Sequence, residues 1–199
     1  QGIIYLGIYI LMFYICFNFK LIFMKHILAF AGSNSKTSIN KQLAAYAAHQ
    51  LEDVNVEVLD LNDFELPLYG IDLEKAEGIP DNAHKFLNKI KATDGIVLSL
   101  AEHNGTYATV FKNLFDWMSR IDGKLWSDKP MLLMATSPGA RGGATGLEIA
   151  LSRFGFMGGN VVGRFSLPSF NDNFSEGKIT NHELNSQLLE EVKQFAESI

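Results

Sequence analysis

Cysteine is almost absent from this chain. Its only thiol is Cys16, so neither an intrachain disulfide nor a thiolate metal cluster can be built. The five histidines, His26, His49, His84, His103 and His182, are scattered, and no His/carboxylate pair stands at a metal-ligand spacing. Clustered positive charge is missing too. The 17 Lys and Arg stand against 22 Asp and Glu, a net charge of −5, and no basic stripe runs along the sequence. That balance argues against nucleic acid as a partner. With 47% hydrophobic and 20% charged residues, the 199-residue chain is otherwise ordinary for a single globular domain with a sizeable core. Any redox chemistry in such a chain must come from a bound cofactor.

Residues 1–23 have a different composition. They read QGIIYLGIYILMFYICFNFKLIF, and 13 of the 23 are Ile, Tyr or Phe. The apolar run from Ile3 to Phe17 is shorter than the roughly 20 residues a spanning helix needs. A signal peptide would have a basic n-region and a small-residue cleavage site, and both are lacking. Met24 stands directly before the first strand-like run. Residues 1–23 therefore read as an apolar leader outside the native fold, and residues 24–199 as one domain expected in the cytoplasm. The competing reading is a membrane anchor.

From Lys25 onward, short apolar runs alternate with helical patterns. The runs Ile27–Ala31, Val54–Leu61, Gly95–Leu100, Met131–Ala135 and Val161–Phe165 are expected as strands. Helices are expected over Ser38–Leu51, after Pro80, over Tyr107–Ser119 and Gly143–Phe154, and from Asn181 to Ile199. In the last of these, Leu184, Leu188, Leu189, Val192, Phe195 and Ala196 are expected to face inward. Five strands alternating with helices make an α/β, doubly wound parallel sheet with helices on both faces. Ligands of such sheets bind at the carboxyl ends of the strands, near the reversal of strand order. Three small, polar loops fall there: Gly32–Thr37, Ala101–Thr106 and Thr136–Gly142.

Two familiar phosphate-binding motifs are also absent. A P-loop would place lysine six residues after its first glycine and directly after a second, whereas Lys36 follows Gly32 by four and stands next to Ser35. No G-x-G-x-x-G occurs at the first loop. What remains, Ala31 to Asn40 (AGSNSKTSIN), is a hydroxyl-rich turn running into a helix N-terminus. Free backbone amides and the helix dipole there suit a terminal phosphate, with hydroxyls of Ser33, Ser35 and Ser38 as further donors. Alone, the stretch reads equally well as a simple Ser or Asn cap.

Three blocks together carry a resemblance. Gly32 to Asn40 resembles the G-S-x-R-x-x-S-x-N loop of the NAD(P)H-dependent FMN reductases, a flavodoxin-like family that includes quinone, chromate and azo-dye reductases. Glu102-His103-Asn104-Gly105-Thr106-Tyr107, followed by Phe111 to Trp117, resembles that family's E-Y-N-x-S and L-K-N-x-x-D-W segments. Ser137 to Gly143 resembles its glycine-rich loop beside the flavin. The likeness runs from about Met24 to Phe174 in the expected order. It implies the flavodoxin-like strand order 2-1-3-4-5 and FMN as cofactor, with NAD(P)H as co-substrate. Ser33, Ser35, Ser38 and Asn40 would hold the phosphate and ribityl chain. Glu102, His103, Asn104 and Gly105 would form the wall beside the isoalloxazine, largely through backbone groups. Ser137, Gly139 and Gly142 would approach its pyrimidine edge.

No catalytic side chain or metal is implied, because the flavin N5 carries the chemistry. The partner would be a small acceptor such as a quinone or free flavin, and the protein a homodimer or homotetramer. The alternatives are a non-enzymatic carrier of the flavodoxin type and a flavin-binding protein without turnover. Ser35 stands where the family usually has Arg, and His103 where Tyr is common. Asp116 and Trp117 read as packing or subunit-contact residues.

Overall fold

The computed structural model describes residues 24–199, so the expectations for the leader lie outside the described residues. Three strands form the centre of the sheet: β1 (Lys25–Gly32), β3 (Gly95–His103) and β5 (Pro130–Thr136). Their side chains are buried on both faces, which is why these segments read as continuous apolar runs rather than alternating ones. The edges are β2 (Val54–Leu59) and β6 (Asn160–Leu167), with more exposed positions. The order is β2-β1-β3-β5-β6, all parallel. Counting only these five strands, it is 2-1-3-4-5, the arrangement expected.

A sixth strand was not expected. Thr106–Tyr107 (β4) turns back antiparallel onto the end of β3, pairing Glu102 with Tyr107 and His103 with Thr106. The turn between them is Asn104-Gly105, both at positive φ, 52° and 79°. Asn-Gly favours this conformation because neither residue meets the usual Cβ penalty there as severely as others do. The supposed loop Ala101–Thr106 is therefore a hairpin, and the following helix starts two residues late, as α4 (Thr109–Ile121).

The remaining helices are α1 (Ile39–Ala48), α2 (Ile71–Glu77), α3 (Asp81–Ala92), α5 (Ala144–Phe154), α6 (Phe170–Asn173) and α7 (His182–Ala196). Neither α2 nor the small β7–β8 ribbon (Phe174–Ser175, Lys178–Ile179) was anticipated. One face of the sheet is covered by α3, α4 and α5, around Phe86, Phe111, Phe115, Trp126 and Phe154. The other carries α1 and α7, around Leu43, Ala47, Leu188, Val192 and Phe195. In α7 only one stripe faces inward. Leu189 and Ala196 are exposed, contrary to expectation, because a helix lying on the sheet from one side buries i, i+4, i+7 positions and no wider band.

Candidate functional site

Strand order reverses between β1 and β3, and the carboxyl ends of β1, β3 and β5 meet there. A cleft of about 210 Å³ opens at that point, lined by Ser33, Ser35, Thr37, Ser38, Ile39, Asn40, Ala101, Glu102, His103, Thr136, Ser137 and Pro138. Seven of the expected residues thus converge. Asn104 and Gly105 form the tip of the hairpin just beyond, and Gly139 and Gly142 continue the loop after Ser137. Thr37, Thr136 and Pro138 line the cleft without having been singled out as ligand contacts; their placement at a strand end or loop was the available signal.

The first loop is held by its own hydroxyls. Ser33 Oγ accepts from the Ser35 amide at 3.2 Å, and Ser35 Oγ from the Thr37 amide at 3.3 Å. Ser38 is the N-cap of α1, its Oγ accepting from the Lys41 amide at 3.1 Å. Those side chains shape the turn, so the amides of Ile39 and Asn40, which have no intrahelical partner, are left facing the start of the helix. Asn40 is almost fully buried, at 3% exposure. Its Oδ1 accepts from Ser99 Oγ (2.7 Å) and from the Thr136 amide (3.0 Å), while its Nδ2 donates to the Thr136 carbonyl (3.1 Å).

The opposite wall holds a second helix start, α5, whose N-cap Gly143 has no side chain to offer. Its Gly146 amide donates to Glu102 Oε2 at 2.8 Å instead. The carboxylate among the cleft-lining residues is therefore turned into a helix end. Gly142 is pressed against β6: a Cβ there would lie 2.5 Å from Ser166 Oγ and 2.8 Å from the Leu167 carbonyl, at a φ of +58°. His103 is exposed, and Arg141 bonds Thr145 Oγ1 from the surface at 2.9 Å. Burial raises the Tyr107 phenol above its ordinary value.

This donor set fits a terminal phosphate better than a metal. It offers hydroxyls, helix amides and a positive dipole end, with exposed Lys36 as a nearby cation. Lys41 is not available, since its Nζ binds Asp60 Oδ2 at 2.6 Å.

Next to the cleft, across His103 and Asn34, lies a second depression of about 390 Å³ bordered by Leu66, Leu68, Val110 and Asn113. The segment forming its rim is tied to α4. Asn113 Nδ2 donates to the Pro67 carbonyl at 3.0 Å, its Oδ1 accepts from the Tyr69 amide at 2.8 Å, and Trp117 Nε1 donates to Pro67 O at 2.8 Å. Trp117 is thus a packing residue, fully buried, and Asp116 pairs with Lys112 on the same helix.

Residues 25–172 match the family described as NADPH-dependent FMN reductase. A protein of Mycoplasma pneumoniae described as uncharacterized is 33% identical over 71% of this chain and 86% of its own length. The quinone reductase of Escherichia coli strain K12 is 30% identical over 59% of this chain and 63% of its own, so the match spans just under two thirds of that relative. Among solved structures, the flavoenzyme NAD(P)H:(acceptor) oxidoreductase FerB of Paracoccus denitrificans has a TM-score of 0.70, at 24% identity over 88% of this chain and 97% of that one. An NADH:FMN oxidoreductase in its apo form reaches 0.66, at 20% identity over 88% and 90%. At those identities the two structures speak for the fold.

Proposed function

The chain belongs to the NADPH-dependent FMN reductase family of oxidoreductases, and from that premise we propose that the cleft at the ends of β1, β3 and β5 is its FMN site. The observation that carries the assignment is the meeting of a helix N-terminus capped only by a neutral hydroxyl with a neutral, hydroxyl-lined turn. The other helix start, at α5, already holds the Glu102 carboxylate, which leaves α1 as the place for phosphate. Ser33, Ser35 and Ser38 supply hydroxyls there, and the Ile39 and Asn40 amides supply main-chain donors. The first loop lacks the fingerprint for a pyrophosphate, which favours FMN over FAD.

Hairpin Ala101–Tyr107 and loop Ser137–Gly142 form the two sides of a slot for the ring system, through His103, Asn104, Gly105, Ser137, Gly139 and Gly142. When bound, FMN would supply two-electron redox chemistry between NAD(P)H and a small acceptor such as a quinone or free flavin. The protein's task would be to orient, with the small residues Gly105 and Thr106 leaving one face of the ring open to the nicotinamide. A homodimer or homotetramer in the cytoplasm is the proposed setting. Among the described residues no helix is long and apolar enough to cross a membrane.

The test has two arms. Protein purified with its flavin should release FMN by mass spectrometry, and anaerobic NADPH or NADH should bleach its visible absorbance, restored by an added quinone. Replacing Ser38 with Glu places a carboxylate against the same amides and should weaken FMN by more than about tenfold. Absence of flavin binding, or a flavin that neither nucleotide reduces, would remove the reductase reading.

A further inference from the structure

The two walls of the slot are not held together by the sheet. Pairing between β3 and β5 ends at Ala101 with Thr136, and the hairpin and the Ser137–Gly142 loop both lie beyond that last pair. Something else must set the gap between them. The side chain of Glu102 reaches out of the hairpin and accepts the Gly146 amide at 2.8 Å. Gly146 is in the first turn of α5, the helix that the Ser137–Gly142 loop leads into, and the Gly143 cap of that helix has no side chain. The contact is close as well as polar. A Cβ on Gly146 would sit 3.4 Å from the Thr106 carbonyl carbon and from the Tyr107 amide nitrogen. The first turn of α5 thus lies against the hairpin backbone, and the carboxylate bonds across the join.

We infer that Glu102 is a positioning residue: it acts on α5 rather than on a ligand, latching the hairpin to the helix and so fixing the width of the slot for the flavin ring. The inference rests on the FMN site proposed above. A carboxylate also suits this place electrostatically, since it meets the positive end of α5, whose first amides have no acceptor within the helix.

Three substitutions separate reach from charge, with FMN affinity read by fluorescence titration of apoprotein and ring environment by visible circular dichroism of the bound flavin. Glu102→Gln keeps the length and an acceptor oxygen, and should bind FMN within about threefold of the parent with the same dichroic bands. Glu102→Asp keeps the charge but falls short of Gly146, and Glu102→Ala removes both; each should weaken FMN by about tenfold and alter the bands. If the Asp protein binds as tightly as the parent, or the Gln protein as weakly as the Ala protein, the latch is overturned and the charge itself, or nothing at this position, matters. A loss of melting temperature with unchanged FMN affinity would reduce Glu102 to a stabilising contact. Parent protein that binds no FMN would instead overturn the site on which the inference stands.

Discussion

Asn40 shows how one side chain can line a cleft while spending its hydrogen bonds on the walls. Its three hydrogen bonds run from the first turn of α1 to Ser99 on β3 and to both main-chain groups of Thr136 on β5. It thereby ties the start of α1 to β3 and β5, two of the strands that border the cleft. Replacement by Ala would strand a buried hydroxyl, N–H and carbonyl together, since Ser99 and Thr136 are themselves buried. Asn40→Ala should cost about 2–4 kcal/mol in a urea unfolding measurement and loosen FMN binding with it. A loss below about 1 kcal/mol would mean that water replaces the amide. The sequence shows that a Ser and an Asn stand two apart at the start of a helix; it does not show that one caps the helix while the other crosses to strands 59 and 96 residues away.

At the scale of elements, α1 is fixed at its other flank by Lys41, whose ammonium binds Asp60 just past the end of β2. Lys41, and after it the Asn62 amide, hold the Asp60 carboxyl below its ordinary value of 3.8. A carboxyl depressed in the folded state contributes stability above its unfolded value, and that contribution is lost as pH falls through the folded value. Asp60→Asn should therefore lower stability by about 1 kcal/mol at neutral pH, the difference from the parent closing below pH 3.8. Urea midpoints for both proteins across the acid range check this; a constant gap at every pH would refute the ion pair as the cause. The hairpin β3–β4 is the element most instructive to compare with the sequence. Asn104-Gly105 is among the strongest local hairpin signals, yet small polar residues in that stretch read as a loop when the partner strand is only two residues long. The segment Leu66–Gly70 was silent for a different reason. Its order comes from Asn113 and Trp117 on α4, far along the chain, and it leaves Leu68 with 74% of its surface exposed.

For the whole molecule, both faces of the sheet are closed by residues after Met24, with α3, α4 and α5 on one side and α1 and α7 on the other. A chain beginning at Met24 should consequently remain folded, with the melting temperature and FMN affinity of the full chain; insoluble or flavin-free protein would give residues 1–23 a part in the fold. What the sequence determined by itself was the class of architecture. Central strands buried on both faces must be continuously apolar, helices on a sheet must carry one apolar stripe, and small polar loops must follow the strands where a ligand enters. The three family-like blocks then placed Ser33, Ser38, Glu102 and Ser137 around one opening. Only the tertiary structure decided what each of those groups does there. Ser38 caps its own helix, Asn40 ties that helix to β3 and β5, and Glu102 turns away to the amide of Gly146. The physical reason is that local pattern reports burial and backbone preference, which act over a few residues. A buried donor or acceptor must instead be satisfied by whatever the fold brings beside it, and that partner is set by strand order and helix seating rather than by neighbours in the chain.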